Sequence, residues 1–145
     1  MKHIIFKKAF VAASVISVLG YVGSASAHTL TETLGQGAKS TDYFVVGCSG
    51  GTHHLAVQIQ DLGPVASPLV SVQVNSGTKV KNITDPVDGD AGSSPERKVV
   101  SGDTDYFLTV DKTGAGVESY LIDYHCENSS GGHTTTIPAE PLQNQ

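Results

Sequence analysis

Apolar and polar positions alternate at period two along most of the chain beyond residue 40. The longest such stretch is Val99 to Cys126. Tyr106, Leu108 and Val110 alternate with Phe107 and Thr109; Tyr120, Ile122, Tyr124 and Cys126 alternate with Leu121, Asp123 and His125. Strands that bury one face carry this signature. Lys112-Thr113-Gly114-Ala115-Gly116 supplies turn residues between the two runs, so the stretch reads as a β-hairpin.

Four further strands follow from the same pattern. In Thr41 to Cys48, Phe44, Val46 and Cys48 share one face, Tyr43 and Val45 the other. In His53 to Leu62, Leu55, Val57 and Ile59 point inward while His54, Gln58 and Gln60 point outward. Leu69 to Val74 carries Val70, Val72 and Val74. Thr78 to Thr84 is weaker and bears two lysines, which suits an edge. Gly63-Pro64, Asn75-Ser76-Gly77 and Ser49-Gly50-Gly51-Thr52 punctuate these runs. Arg97 to Val100 is a short segment, and His133 to Ile137 can pair briefly. Thr41-Asp42-Tyr43-Phe44 is echoed by Thr104-Asp105-Tyr106-Phe107. The expected fold is an all-β sandwich, jelly-roll or immunoglobulin-like, of about seven short strands.

The ends of the chain read differently. Residues 1–27 have a basic start (Lys2, Lys7, Lys8), an apolar centre and a small-residue end closing in Ala25-Ser26-Ala27. This is the pattern of a secretory signal peptide, with cleavage expected after Ala27, leaving His28 as the first residue, and after Ala25 as the lesser alternative. Ser14, Ser17 and Gly20 weaken the apolar run as a membrane span. Residues 28–40 form a polar arm with Leu30 and Leu34 as its large apolar groups: an edge strand or a loose arm. Residues 41–137 form the sandwich domain. Pro138 and Pro141 lead the expectation of a disordered tail over residues 138–145.

Composition and charge narrow the class. The chain has no Trp, and its single Met is the initiator. Removing residues 1–27 leaves six Lys and Arg against fourteen Asp and Glu, a net charge of 6 − 14 = −8. An acidic surface argues against nucleic acid and anionic membranes as partners. Secretion or a bacterial periplasmic location fits the leader. In such a compartment the two cysteines, Cys48 and Cys126, are expected to form one disulfide.

The order of motifs carries a resemblance. An Asp-Tyr-Phe strand at residue 42 is followed by Leu55-x-Val57-x-Ile59 leading into Asp61-Leu62. An acidic loop comes next. Gly102-Asp-x-Asp-Tyr-Phe-Leu-x-Val110 then precedes Glu118-Ser-Tyr-Leu-Ile-Asp-Tyr124. From Thr41 to Cys126 the chain resembles the bacterial pre-peptidase C-terminal domain family, whose pattern does not require the two cysteines. The resemblance implies a small jelly-roll-like sandwich that acts as a binding or secretion-associated module and not as a catalyst.

Three kinds of chemistry are open to such a chain. A mature N-terminal His28 offers an α-amine and an imidazole to Cu(II). His54 and His125 are the partners whose strand parity points them off the core. The loop Asp85 to Glu96, with Asp85, Asp88 and Asp90, offers hard oxygen ligands to Ca²⁺. Asp103 and Asp105 suit turn hydrogen bonds. Catalysis finds little support: Ser49 lies near His53 and His54, but no G-x-S-x-G elbow is present. The functional expectation is an exported non-catalytic binding or adhesion module for a metal ion or a surface partner. The alternatives are a copper-binding protein using His28, and a self-assembling fibre or surface-layer subunit that oligomerises by strand exchange.

Overall fold

The structure is a computed structural model that describes residues 28–64 and 68–145; the expected signal peptide, residues 1–27, lies outside them. Among the described residues nine strands make two antiparallel sheets: β1 (His28–Leu34), β2 (Asp42–Ser49), β3 (His54–Gly63), β4 (Val70–Ser76), β5 (Lys79–Thr84), β6 (Arg97–Val100), β7 (Asp105–Lys112), β8 (Glu118–Glu127) and β9 (Thr135–Gln143). One sheet has the order β1-β8-β3-β6, the other β5-β4-β7-β2-β9. The first eight strands nest around the tight β4–β5 turn: β4 pairs β5, β3 pairs β6, β2 pairs β7 and β1 pairs β8. That nesting is jelly-roll wiring, as the all-β sandwich expectation allowed.

The alternating rows identified in the sequence become the core. Phe44 and Val46 on β2, Leu55, Val57 and Ile59 on β3, Val70, Val72 and Val74 on β4, Tyr106, Leu108 and Val110 on β7, and Tyr120 and Ile122 on β8 are all buried. Cys48 and Cys126 join β2 to β8, hence one sheet to the other, with Cα atoms 5.7 Å apart. The cross-link closes a loop of sequence separation 78. In the chain-entropy picture a loop of that size contributes up to about 4–5 kcal/mol.

Three expectations are corrected. The stretch Val99 to Cys126 is not a hairpin. β7 pairs with β2 and β4, β8 with β1 and β3, and the two lie in different sheets. Residues 113–117 cross from one layer to the other. Alternation reports which face of a strand is buried and is silent on its hydrogen-bonding partner. Two rows of large apolar side chains can therefore meet across the core as readily as stand side by side.

Residues 138–145 are not a disordered tail, because β9 adds to the outer edge of β2. Pro138 and Pro141 are tolerated there because an edge strand has one side free of ladder bonds, and the pairing is irregular, with register shifts at Tyr43/Phe44 and Val45/Gly47. At Gly47 a Cβ would lie 2.8 Å from Ile137 Cδ1, so a larger residue there would have to push the half-exposed Ile137 side chain aside. The chain end is held by Gln145, whose amide donates to Asp42 Oδ1 at 2.7 Å and whose carbonyl accepts from Gly35 N at 2.7 Å. With β9 and β1 the strand count rises from seven to nine.

Of the two readings of residues 28–40, the first half is an edge strand. β1 pairs with β8 along its whole length, and Leu34 is fully buried. The echo between residues 41–44 and 104–107 is not a structural repeat. Phe44 is inward and Tyr43 outward, whereas Tyr106 is inward and Phe107 outward. The two copies sit on neighbouring strands in opposite phase, and Tyr43 stacks on Phe107 with ring centroids 5.9 Å apart.

Candidate functional site

The two sheets each end in an open edge on the same side of the sandwich, β5 in one and β6 in the other. Between them lies a groove of about 440 Å³ lined by Thr78, Lys79, Val80 and Lys81 of the β5 edge and Lys98, Val99 and Val100 of β6. Val80 and Val100 are about half exposed, at 54% and 48%. Four of the six Lys and Arg that follow residue 27 are on these two strands: Lys79, Lys81, Arg97 and Lys98. The acidic chain therefore has a basic edge. The weak strand with two lysines was legible in the sequence as an edge. Its meeting with β6 was not, because the twelve-residue sequence Asp85 to Glu96 separates the two strands and gives no pairing signal.

Behind β6, on the outer face of its sheet, stands Glu127. His54 and His125, chosen by parity in the sequence, are brought together by this carboxylate. His54 Nε2 contacts Glu127 Oε2 at 2.6 Å, and His125 Nε2 contacts Oε1 at 2.9 Å. Lys98 Nζ donates to Oε2 at 2.7 Å. Burial works against the Glu127 charge, but hydrogen bonds from Lys98, His54 and His125 outweigh it and hold the carboxyl down to about 2. The same contact with Glu127 raises the Lys98 ammonium above its ordinary value. His133 stacks on His125 with centroids 4.6 Å apart and planes 4° from parallel.

One ligand atom each of His125, Glu127 and His133 lies within 4.8 Å of the others. Rings so nearly parallel do not aim two nitrogen lone pairs at one ion, and the Glu127 oxygens already have donors. Lys98 and the two imidazoles satisfy the Glu127 carboxylate, while His125 Nδ1 is buried without a hydrogen-bond partner.

His28 is not part of it. In the β1–β8 register His28 stands opposite Tyr124, and its ring stacks on Tyr124 at 5.8 Å. Opposed residues share a face, and Tyr124 belongs to the inward row. His125, the next residue, is on the other face. His54 pairs with Glu127, three positions further along β8 than Tyr124, on the strand beyond. The brace expected between His28 and His54 or His125 is therefore not formed: a β-sheet between them separates the ligands.

At the opposite end of β3 and β8 the rows that line the core run out in charged residues. The inward row Leu55, Val57, Ile59 continues to Asp61, and the row Ile122, Tyr120 continues back to Glu118. Both carboxylates are buried, at 0% and 1% exposure. Asp88, from the loop after β5, joins them, and one oxygen of each lies within 4.8 Å of the other two. Asp61 Oδ2 accepts from Val70 N at 2.9 Å and Oδ1 from Gly63 N at 3.4 Å. Burial, with the charges of Asp88 and Asp85, still holds the Asp61 carboxyl above its usual range. Burial and the charges of Asp61 and Asp88 push Glu118 upward as well, with Lys112 acting the other way.

The loop Asp85 to Glu96 does not gather its own carboxylates. Asp85 is turned inward, its Oδ2 accepting from Asp61 N at 2.8 Å and Oδ1 from Val87 N at 3.3 Å. Asp90 closes a small turn at the surface through Gly92 N at 2.6 Å. Of the three aspartates expected to act together, Asp88 alone converges on other carboxylates. Asp61 and Glu118 were missed, although parity could have found them, since each is an acid on an apolar row. Asp103 makes the turn hydrogen bonds expected of it, accepting from Thr52 N at 2.6 Å and Gly51 N at 3.1 Å. No family model matches the sequence, and neither the curated proteins nor the solved structures hold a match to it.

Proposed function

We propose that this protein is an exported, non-catalytic binding module that holds an extended acidic peptide segment of a partner in the β5–β6 groove. The observation that carries the reading is the segregation of charge. A stretch of net charge −8 places four of its six cations on the two strands bounding one groove; Lys98 is paired with Glu127, and Lys79, Lys81 and Arg97 make no ion pair among the described residues. Two features favour a peptide. Both strands are terminal in their sheets, so each offers unpaired backbone N–H and C=O groups to an added strand. Among the described residues, none that lines the groove is an aromatic able to stack a sugar ring. Lysines on an open edge also discourage pairing with a second, equally cationic copy, which favours a foreign acidic strand over self-assembly at this edge.

The test is binding of a fluorescently labelled glutamate-rich peptide, followed by anisotropy over a range of salt concentrations. Binding should weaken as salt rises. Replacing Lys79 and Lys81 by Glu should reduce affinity by about tenfold or more, about 1.4 kcal/mol, with the protein remaining monomeric. Affinity unchanged by the charge reversal would overturn the assignment, and assembly into large particles would move it to the fibre subunit.

A further inference from the structure

We infer that Asp61, Asp88 and Glu118 form a binding site for one hard divalent cation of the size of calcium. The inference is independent of the groove, which lies on the open side of the sandwich, and it differs from the loop site expected of Asp85, Asp88 and Asp90.

Four observations converge. The first is geometry. Oxygens of the three carboxylates lie within 4.8 Å of one another, so they fit on one coordination sphere of about 2.4 Å radius, the distance at which calcium takes oxygen ligands. The second is the lack of partners. Both carboxylate oxygens of Asp88 and Oε2 of Glu118 are buried without a hydrogen-bond partner, and Glu118 is 1% exposed. Native folds seldom leave a buried carboxylate oxygen in that condition; an ion or an ordered water supplies the missing partner.

The third is the local charge. Asp61, Asp88 and Glu118 stand with Asp85 close by, and Lys112 is the cation that acts on Glu118. The Lys112 ammonium is committed elsewhere, donating to the carbonyls of Gly35 and Gly116. The fourth is rigidity. Asp61 is held by Val70 N through its side chain. Its own backbone donates to Asp85 Oδ2 and accepts from Gly89 N at 3.1 Å, which pins the loop that carries Asp88. A site whose donors are held before the ion arrives loses less on binding.

The donor chemistry selects the ion. All the ligands are carboxylate oxygens, with no imidazole or sulfur, which suits a hard cation and not copper or zinc. Three carboxylates from two strand ends and a loop suit the larger, more adaptable calcium shell. Magnesium demands near-ideal octahedral geometry and keeps most of its water. The carboxylate charges that repel one another in the free protein are the charges the ion would neutralise, so binding should stabilise the fold by linkage.

The test uses the full chain with its disulfide intact, freed of metal with EDTA. Calcium chloride or magnesium chloride is then added, and metal content is read by native mass spectrometry and stability by thermal unfolding. One calcium per chain is expected. Calcium at about a hundredfold excess over Kd should raise Tm by roughly 10 °C, with a much smaller response to magnesium. Asp88→Asn, in a partly exposed loop, and Glu118→Gln, on a strand, should each abolish the calcium response measured against the variant's own EDTA baseline. Lys79→Ala should leave it intact. A wild-type chain that retains no calcium and shows no shift would overturn the site. So would a shift that survives in both carboxylate variants.

Discussion

β3 and β8 lie side by side, and each end of the pair carries buried carboxylates in opposite electrical circumstances. At one end Glu127 is 7% exposed and receives hydrogen bonds from Lys98, His54 and His125. At the other, Glu118 is 1% exposed, faces Asp61 and Asp88, and has an oxygen with no partner. The residue type and the degree of burial are alike; the partners are not. Burial of a charge does not by itself mark a site. What marks one is a charge that the protein's own groups fail to neutralise. By that measure the Glu127 carboxylate is balanced, although His125 Nδ1 beside it has no partner, and the carboxylates of the acidic end are not.

The contrast can be broken at several points. The largest expected effect is on the disulfide, which enters β8 at Cys126, beside Glu127. Replacing both cysteines by Ala should cost about 2–5 kcal/mol in urea unfolding, while the remaining folded protein keeps its calcium response at the far end. Next is Glu127→Gln, which leaves Lys98 and two imidazoles short of a charged acceptor. A loss of about 2 kcal/mol is expected, and Glu118→Gln in chelator should instead stabilise, because it removes a like charge from a crowded site.

The two ends also differ in the sign of their pH dependence. The Glu127 carboxyl is held down to about 2 from an ordinary 4.5. Its contribution is therefore complete above 4.5 and lost as the pH falls through that interval toward 2. Asp61 and Glu118 are raised, so in metal-free protein their carboxyls favour the fold while protonated and lose that contribution as the pH rises through their folded values. Urea unfolding across the acid range should show Glu127→Gln flattening the loss on acidification and Glu118→Gln flattening the loss on neutralisation. The smallest effect concerns the exposed groove. Lys79→Ala with Lys81→Ala should change stability by no more than about 0.5 kcal/mol while weakening capture of an acidic peptide.

Sequence pattern carried the core and left the wiring open. Val70, Val72 and Val74, or Tyr120 and Ile122, announce a buried face by alternation alone, and the same parity correctly put His54 outward. Cys48 and Cys126 are the chain's two cysteines, so a disulfide within it had one possible pairing. Hydrogen-bonding partners are a separate matter. Nothing in Tyr106 to Tyr124 says whether two rows of large residues stand in one sheet or face each other across two, and the glycine-rich link between them suits both. Pro138 and Pro141 hid β9 because proline argues against a strand everywhere but at an edge, and edges are a property of the assembled sheet. Asp61 and Glu118 were legible in principle. Each breaks an apolar row at its last position, and a charge on core parity asks for a partner.

The most direct measurement of the contrast is the unfolding free energy of Glu118→Gln and Glu127→Gln, side by side in chelator at neutral pH. Opposite signs are expected, with the first variant more stable than wild type and the second less. Destabilisation of both by similar amounts would contradict it, and would mean that Glu118 is as well satisfied in the folded chain as Glu127.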